Sequence, residues 1–136
     1  NTKYPEYVPL VSADKNEMYF TSRRPDGTGK KVDEFDNYFE DIYYSQKNDG
    51  KWAPAVNVGP PLNTETHDAT VSLSANGNHL IIYRTSKNLL GGNLYITEHT
   101  NTGWSTPIKL TENVNSKFQE ASAVISPNGL IMYISS

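Results

Sequence analysis

Cysteine is absent from the 136-residue chain, which excludes a disulfide framework, a thiolate nucleophile and cysteine-ligated zinc. The same absence fits the cytosol and an export route that forms no disulfides. No apolar run approaches the roughly 20 residues that cross a bilayer as a helix, so no membrane span is expected in this segment. Charge is nearly balanced, at −3 with a pI near 5.5. No broad positive field is available for nucleic acid or an anionic membrane, and nucleic acid is not an expected partner. Apolar residues nowhere recur with the 3.6 period of an amphipathic helix. There is no G-x-S-x-G nucleophile elbow and no EF-hand calcium spacing. There is no glycine-rich phosphate loop either, since Leu89-Leu90-Gly91-Gly92 reads as a connection between strands. Catalytic residues, cofactor sites and metal sites are therefore expected to be none.

What the chain does have is aromatic and repetitive. Apolar content is only 36% and the mean hydropathy −0.61, yet nine tyrosines lift the aromatic share to 11%. Disordered chains are poor in aromatic residues, so something here packs. Tyr, Thr, Val and Ile favour strands, and Asn, Gly and Pro mark turns. A pattern N-[TS]-x3-[ED] occurs three times, as Asn1 to Glu6, Asn63 to Asp68 and Asn115 to Glu120. Six residues after each acidic position stands a serine: Ser12, Ser74 and Ser126.

Each serine opens a polar turn between two short apolar runs, so each unit predicts a hairpin. Gly77 and Gly129 complete Asn-Gly dipeptides, which suit a tight two-residue turn with positive φ at both central positions. A second hairpin follows, in which Asp41 to Ser45 matches Asn93 to Thr97 and a Gly turn leads into Trp52 and Trp104. The tryptophans are 52 residues apart, as are Asn63 and Asn115. The first period is longer because RRPDGTGKKVDEFDNYF, residues 23–39, replaces a short connection.

Four antiparallel strands in a period of about 50 residues predict an all-β fold, a β-propeller of four-stranded antiparallel blades. The chain holds about two and a half of them: residues 1–62 with the insertion at 23–39, residues 63–114, and residues 115–136 as the first half of a third. The remaining blades are expected from a longer chain or from self-association. Asn1 in place of an initiator Met leads to the expectation of a processed or excised piece of a longer product.

The segments "SANGNHLIIY" and "SPNGLIMYISS", preceded by "HDATVSL" and "QEASAVI", resemble the TolB-like, WD40-like propeller repeat of bacterial envelope proteins. "FEDIYYSQKNDGKWAPAVNVGPPLNTETHDA" resembles the version found in Bacteroidetes. There the propeller accompanies OmpA-like peptidoglycan-binding domains, and some members serve type IX secretion. The first two turns read S-A-D-K and S-A-N-G instead of S-P-D-G, which keeps the turn chemistry. The resemblance implies a periplasmic or outer-membrane-associated, non-catalytic scaffold that binds protein partners in the cell envelope. The alternatives are an exported carbohydrate-active or other hydrolase with its catalytic residues elsewhere, or a glycan- or peptide-binding module.

Three groups of residues are candidates for function. Glu6, Asp68 and Glu120 begin the first strand of each repeat; in a closed ring they would line a channel mouth and attract a cation or basic peptide, or they would fix the backbone between blades. The insertion, through Arg23, Arg24, Phe35, Tyr38 and Phe39, is a candidate partner-binding loop, because long loops on rigid scaffolds carry recognition. Trp52 and Trp104 could stack on a sugar, but their identical repeat positions point to structural packing. For a buried Trp104, substitution by Ala is expected to cost about 3 to 5 kcal/mol. His67 beside Asp68 suggests catalysis only superficially, since neighbouring strand residues face opposite ways.

Overall fold

The computed structural model describes residues 2–115, 122–129 and 131–135, and these are all-β with antiparallel pairing throughout. The first repeat forms β1 (Glu6–Val11), β2 (Glu17–Ser22), β3 (Asp41–Asn48), β4 (Lys51–Trp52) and β5 (Val56–Asn57). The second forms β6 (Asp68–Leu73), β7 (His79–Thr85), β8 (Gly92–Thr100), β9 (Gly103–Trp104) and β10 (Ile108–Lys109). Both sheets have four ranks. The fourth is split, because β4 and β5 both pair with β3, and β9 and β10 both pair with β8. Pro54 and Pro107 fall in the gaps, where a residue without an N–H cannot extend a ladder. The third repeat contributes the hairpin β11 (Ser122–Ile125) and β12 (Met132–Ser135).

The sheets pack face to face. Tyr19, Ile42 and Leu62 from the first repeat enclose one core with Leu80 and Ile82 from the second, and Tyr44 and Trp104 pack at its margin. Ile81 and Leu94 form the next core with Ala123 of the third hairpin, joined by Ile125 and Met132. Thus β7 sends alternate residues, Leu80 and Ile82 against Ile81, to opposite neighbours, as the two-residue period of a strand requires. Hydrogen bonds stitch the inner strands together: Thr70 N–H donates to Thr21 Oγ1 at 2.9 Å, and Asp68 N–H to the Glu40 carbonyl at 2.8 Å.

The repeat turns differ from the two-residue form expected. Gly77 N–H bonds the Ser74 carbonyl, and Ser74 N–H bonds the His79 carbonyl, so four residues lie outside the ladder. Ser74 Oγ accepts the His79 N–H and donates to Asn76 Oδ1, and the same serine anchor recurs at Ser12 and Ser126. Of these four only the third is left-handed: Gly77, like Gly129 in the third repeat, has a φ of 74°. Asn76 and Asn128 act as hydrogen-bonding side chains, which is why the positive φ predicted for both central residues is confined to glycine. In the first repeat Lys15 occupies the glycine position, with φ of 62°. Among the described residues no helix is long and apolar enough to cross a membrane.

Candidate functional site

The insertion folds back on itself as a small hairpin. Val32 bridges Tyr38, Asp33 N–H bonds the Asn37 carbonyl at 2.8 Å, and Phe39 N–H bonds the Lys31 carbonyl at 3.0 Å. Its tip is held by one side chain: Asp33 Oδ1 accepts the N–H groups of Phe35 at 2.8 Å and Asn37 at 3.0 Å. Arg23 Nη1 reaches Asp33 Oδ2 at 3.0 Å. These bonds, the one to Asn37 foremost, hold the Asp33 carboxyl below its ordinary range.

The three loop aromatics have different environments. Phe39 stacks on His67 with ring centres 4.1 Å apart, and Tyr38 meets Tyr4 edge-on at 6.4 Å. Phe35 is 75% exposed at the tip, between the exposed carboxylates Glu34 and Asp36. Arg23 and Arg24 are occupied by the body of the protein. Arg23 pairs with Glu40 at 3.0 Å as well as with Asp33, and Arg24 pairs with Glu6 at 2.5 Å.

Below the hairpin lies a polar cluster that sequence reasoning did not anticipate. Glu40 accepts from the Tyr7 hydroxyl and from Arg23, and His67 Nδ1 is 3.3 Å from both its Oε2 and its backbone nitrogen. Burial would raise the Glu40 pKa from its ordinary 4.5, but the bonds from His67, Tyr7 and Arg23 outweigh it and hold it at about 2. The Tyr7 hydroxyl is shifted upward, first by burial and then by donating to that carboxylate. Asp41 secures the other root of the loop. Its Oδ2 accepts the Thr28 N–H at 2.5 Å and Asn57 Nδ2 at 2.7 Å, and burial raises its pKa despite both bonds. No sequence signal marks Glu40; His67, adjacent to a repeat carboxylate, is a partial one.

Each repeat carboxylate that the structure describes is matched by an arginine. Asp68 is fully buried; Oδ1 accepts Arg84 Nε at 2.5 Å, while Oδ2 accepts the Thr64 N–H and hydroxyl at 2.6 and 2.7 Å. Burial raises the Asp68 pKa, with Arg84 opposing it. Arg84 also donates to the carbonyls of Pro61 and Leu62, which tie the second sheet to the segment leaving the first. Glu6 has the equivalent partner in Arg24, which overcomes the effect of burial and lowers its pKa. Glu120 lies outside the described residues. Among the described residues no group of three or more His, Cys, Asp or Glu is placed to hold a metal ion.

The tryptophans part company. Trp104 meets Tyr19 of the first sheet edge-on, with centres 5.6 Å apart. Trp52, at the same repeat position, is 40% exposed under Lys47. The packing role expected of Trp52 is therefore not made among the described residues, because no sheet lies against its face. The repeat asparagines, to which the sequence assigned no role, are buried hydrogen-bonding clasps: Asn63 bonds Ile42, and Asn115 bonds Leu94. Their 52-residue spacing is the signal that could have found them. Compared with protein-family models and with curated proteins, the chain has no match in either.

Proposed function

We propose that the chain is an arc of a β-propeller that works as a non-catalytic binding scaffold, with the insertion hairpin as its recognition element. Two successive four-stranded sheets and a third hairpin stacked in sequence order support the propeller reading, since each repeat buries its neighbour. The observation that carries the binding reading is Phe35: a large apolar side chain held out to solvent on a hairpin fixed by Asp33, Arg23 and the stacked Phe39. A pre-ordered loop loses little entropy on binding, and an aromatic anchor supplies most of the contact energy. The carboxylates beside it favour a partner whose apolar pocket has a basic rim.

The setting rests on the sequence resemblance: the envelope of a Gram-negative bacterium, periplasmic or outer-membrane-associated, in a peptidoglycan-linked or type IX secretion complex. Affinity recovery from envelope extracts tests the reading. Phe35→Ser should leave the circular dichroism spectrum unchanged and remove proteins that the wild-type chain retains. An unchanged set of retained proteins contradicts it.

A further inference from the structure

Both arms of the insertion hairpin rest on the opening segment of the second repeat. On the outgoing arm, Gly29 lies so close to Glu65 that a Cβ there would stand 3.0 Å from the Glu65 Cα and 3.1 Å from its carbonyl oxygen. Lys31 Nζ is 3.0 Å from Glu65 Oε2. On the returning arm, Phe39 stacks on His67, and the Glu40 N–H donates to His67 Nδ1 at 3.3 Å. The hairpin is tied to its own sheet as well, where the Thr28 N–H bonds Asp41 and the Thr28 hydroxyl donates to Asn57 Oδ1 at 3.3 Å. It therefore crosses from the first sheet to the second at the rim where Asp68 N–H bonds the Glu40 carbonyl. Further along the same strand, Thr70 N–H bonds Thr21.

The sequence confines the docking residues to the repeat that meets the insertion. Counting by the repeat, Glu65 and His67 correspond to Lys3 and Pro5 in the first copy and to Lys117 and Gln119 in the third. The acid and the imidazole thus occur only where Lys31 and Phe39 reach them. The asparagine and the acidic residue on either side, by contrast, are common to all three copies.

We infer that the insertion is a strap, whose seating on Glu65 and His67 closes the junction between the first two sheets at this rim. The exposed Lys31–Glu65 pair adds little by itself; the backbone approach at Gly29 and the stack of Phe39 on His67 carry the seating. One consequence rests on the reading of the hairpin as the recognition element: a partner that grips Phe35 in the seated form also tightens the junction, because a contact made in one form alone stabilises that form.

Residue-resolved amide hydrogen exchange tests the strap without any partner. Gly29 is not left-handed, so Gly29→Val acts as a wedge against Glu65 and not through a strained turn. It should speed exchange of the Asp68 and Thr70 amides about tenfold or more. The Ile125 amide, which bonds Ser72 across the next junction, should keep its wild-type rate, since repeats couple only to their neighbours. The double variant Glu65→Lys with His67→Gln installs the residues of the third repeat; it should act in the same direction and serves where the wedge prevents folding. Asp68 and Thr70 amides at wild-type rates in a folded variant, or an Ile125 amide that speeds by the same factor, overturn the proposal. Phe35→Ser alters neither root of the hairpin and should leave all three amides unchanged, so loss of a partner and loss of the strap are read separately.

Discussion

The side-chain amide of Asn63 binds both backbone polar groups of a single residue, Ile42. Oδ1 accepts the Ile42 N–H at 2.8 Å, and Nδ2 donates to the Ile42 carbonyl at 2.9 Å. In the next repeat Asn115 does the same to Leu94, at 2.7 and 3.0 Å. The amide stands in for a strand residue at the start of β3 and of β8, and it fixes where the next repeat leaves the sheet.

Replacing Asn63 by Ala leaves the buried Ile42 N–H without its acceptor, and unfolding in urea should show a loss of about 2 to 3 kcal/mol. Asn63→Asp should lose at least as much, because a carboxylate oxygen would then face the Ile42 carbonyl and Asn57 Oδ1 in place of the amide donors. A loss below about 0.5 kcal/mol in both variants would mean that the clasp is incidental.

Lys15 carries the left-handed conformation that Gly77 and Gly129 carry in the other turns. A side chain in that region costs about 1 to 2 kcal/mol, part of which glycine returns through its greater freedom when unfolded. Lys15→Gly should stabilise the chain by about 0.5 to 1 kcal/mol in the same denaturation experiment. Destabilisation would show that the first turn is not the equivalent of the others.

Trp104 and Trp52 occupy one repeat position in two environments. Trp104 is only partly buried, which lowers the 3 to 5 kcal/mol expected for a core tryptophan. Trp104→Ala should cost about 2 to 3 kcal/mol and Trp52→Ala under about 1 kcal/mol. Equal costs would contradict the packing of Trp104 on Tyr19.

Glu40 makes stability depend on pH. Its carboxyl is held at about 2 in the folded chain against an ordinary 4.5. The contribution is thus complete above pH 4.5 and is lost as pH falls from 4.5 toward 2, by about 3 kcal/mol in all. Asp41 and Asp68, raised by burial, act in the opposite sense and moderate the total. Comparing wild type with Glu40→Gln isolates the effect: the gap between their unfolding free energies should narrow across that interval. A gap independent of pH would contradict the assignment.

Much of the architecture was legible because strand alternation and turn chemistry are local. The 52-residue spacing alone locates Trp104, Asn115 and the turn at Ser126. The clasp was not legible, because its partner Ile42 lies 21 residues upstream and only the fold brings them together. Nor was the pairing of the carboxylates. Arg84 and Arg24 occupy different repeat positions, Arg84 matching Ser22 in the ladder, yet both reach the repeat carboxylate. In the insertion, charge and aromatic content were visible, but not which side chains face inward. Phe39 and Phe35 are four residues apart, and only the turn built on Asp33 separates a stacked ring from an exposed one. The insertion also carries structural bonds: removing residues 27–36 would take away Thr28 and Asp33, which hold Asp41 and Arg23.

The claim that the insertion hairpin is the recognition element is tested most directly by photocrosslinking in the source cell. A crosslinking residue is placed at Phe35, and in a second variant at Leu90, which is 79% exposed on the shorter connection of the second repeat. The account predicts a discrete crosslinked protein from position 35 and none from position 90. Crosslinks from position 90 that equal those from 35, or none from 35, would contradict it.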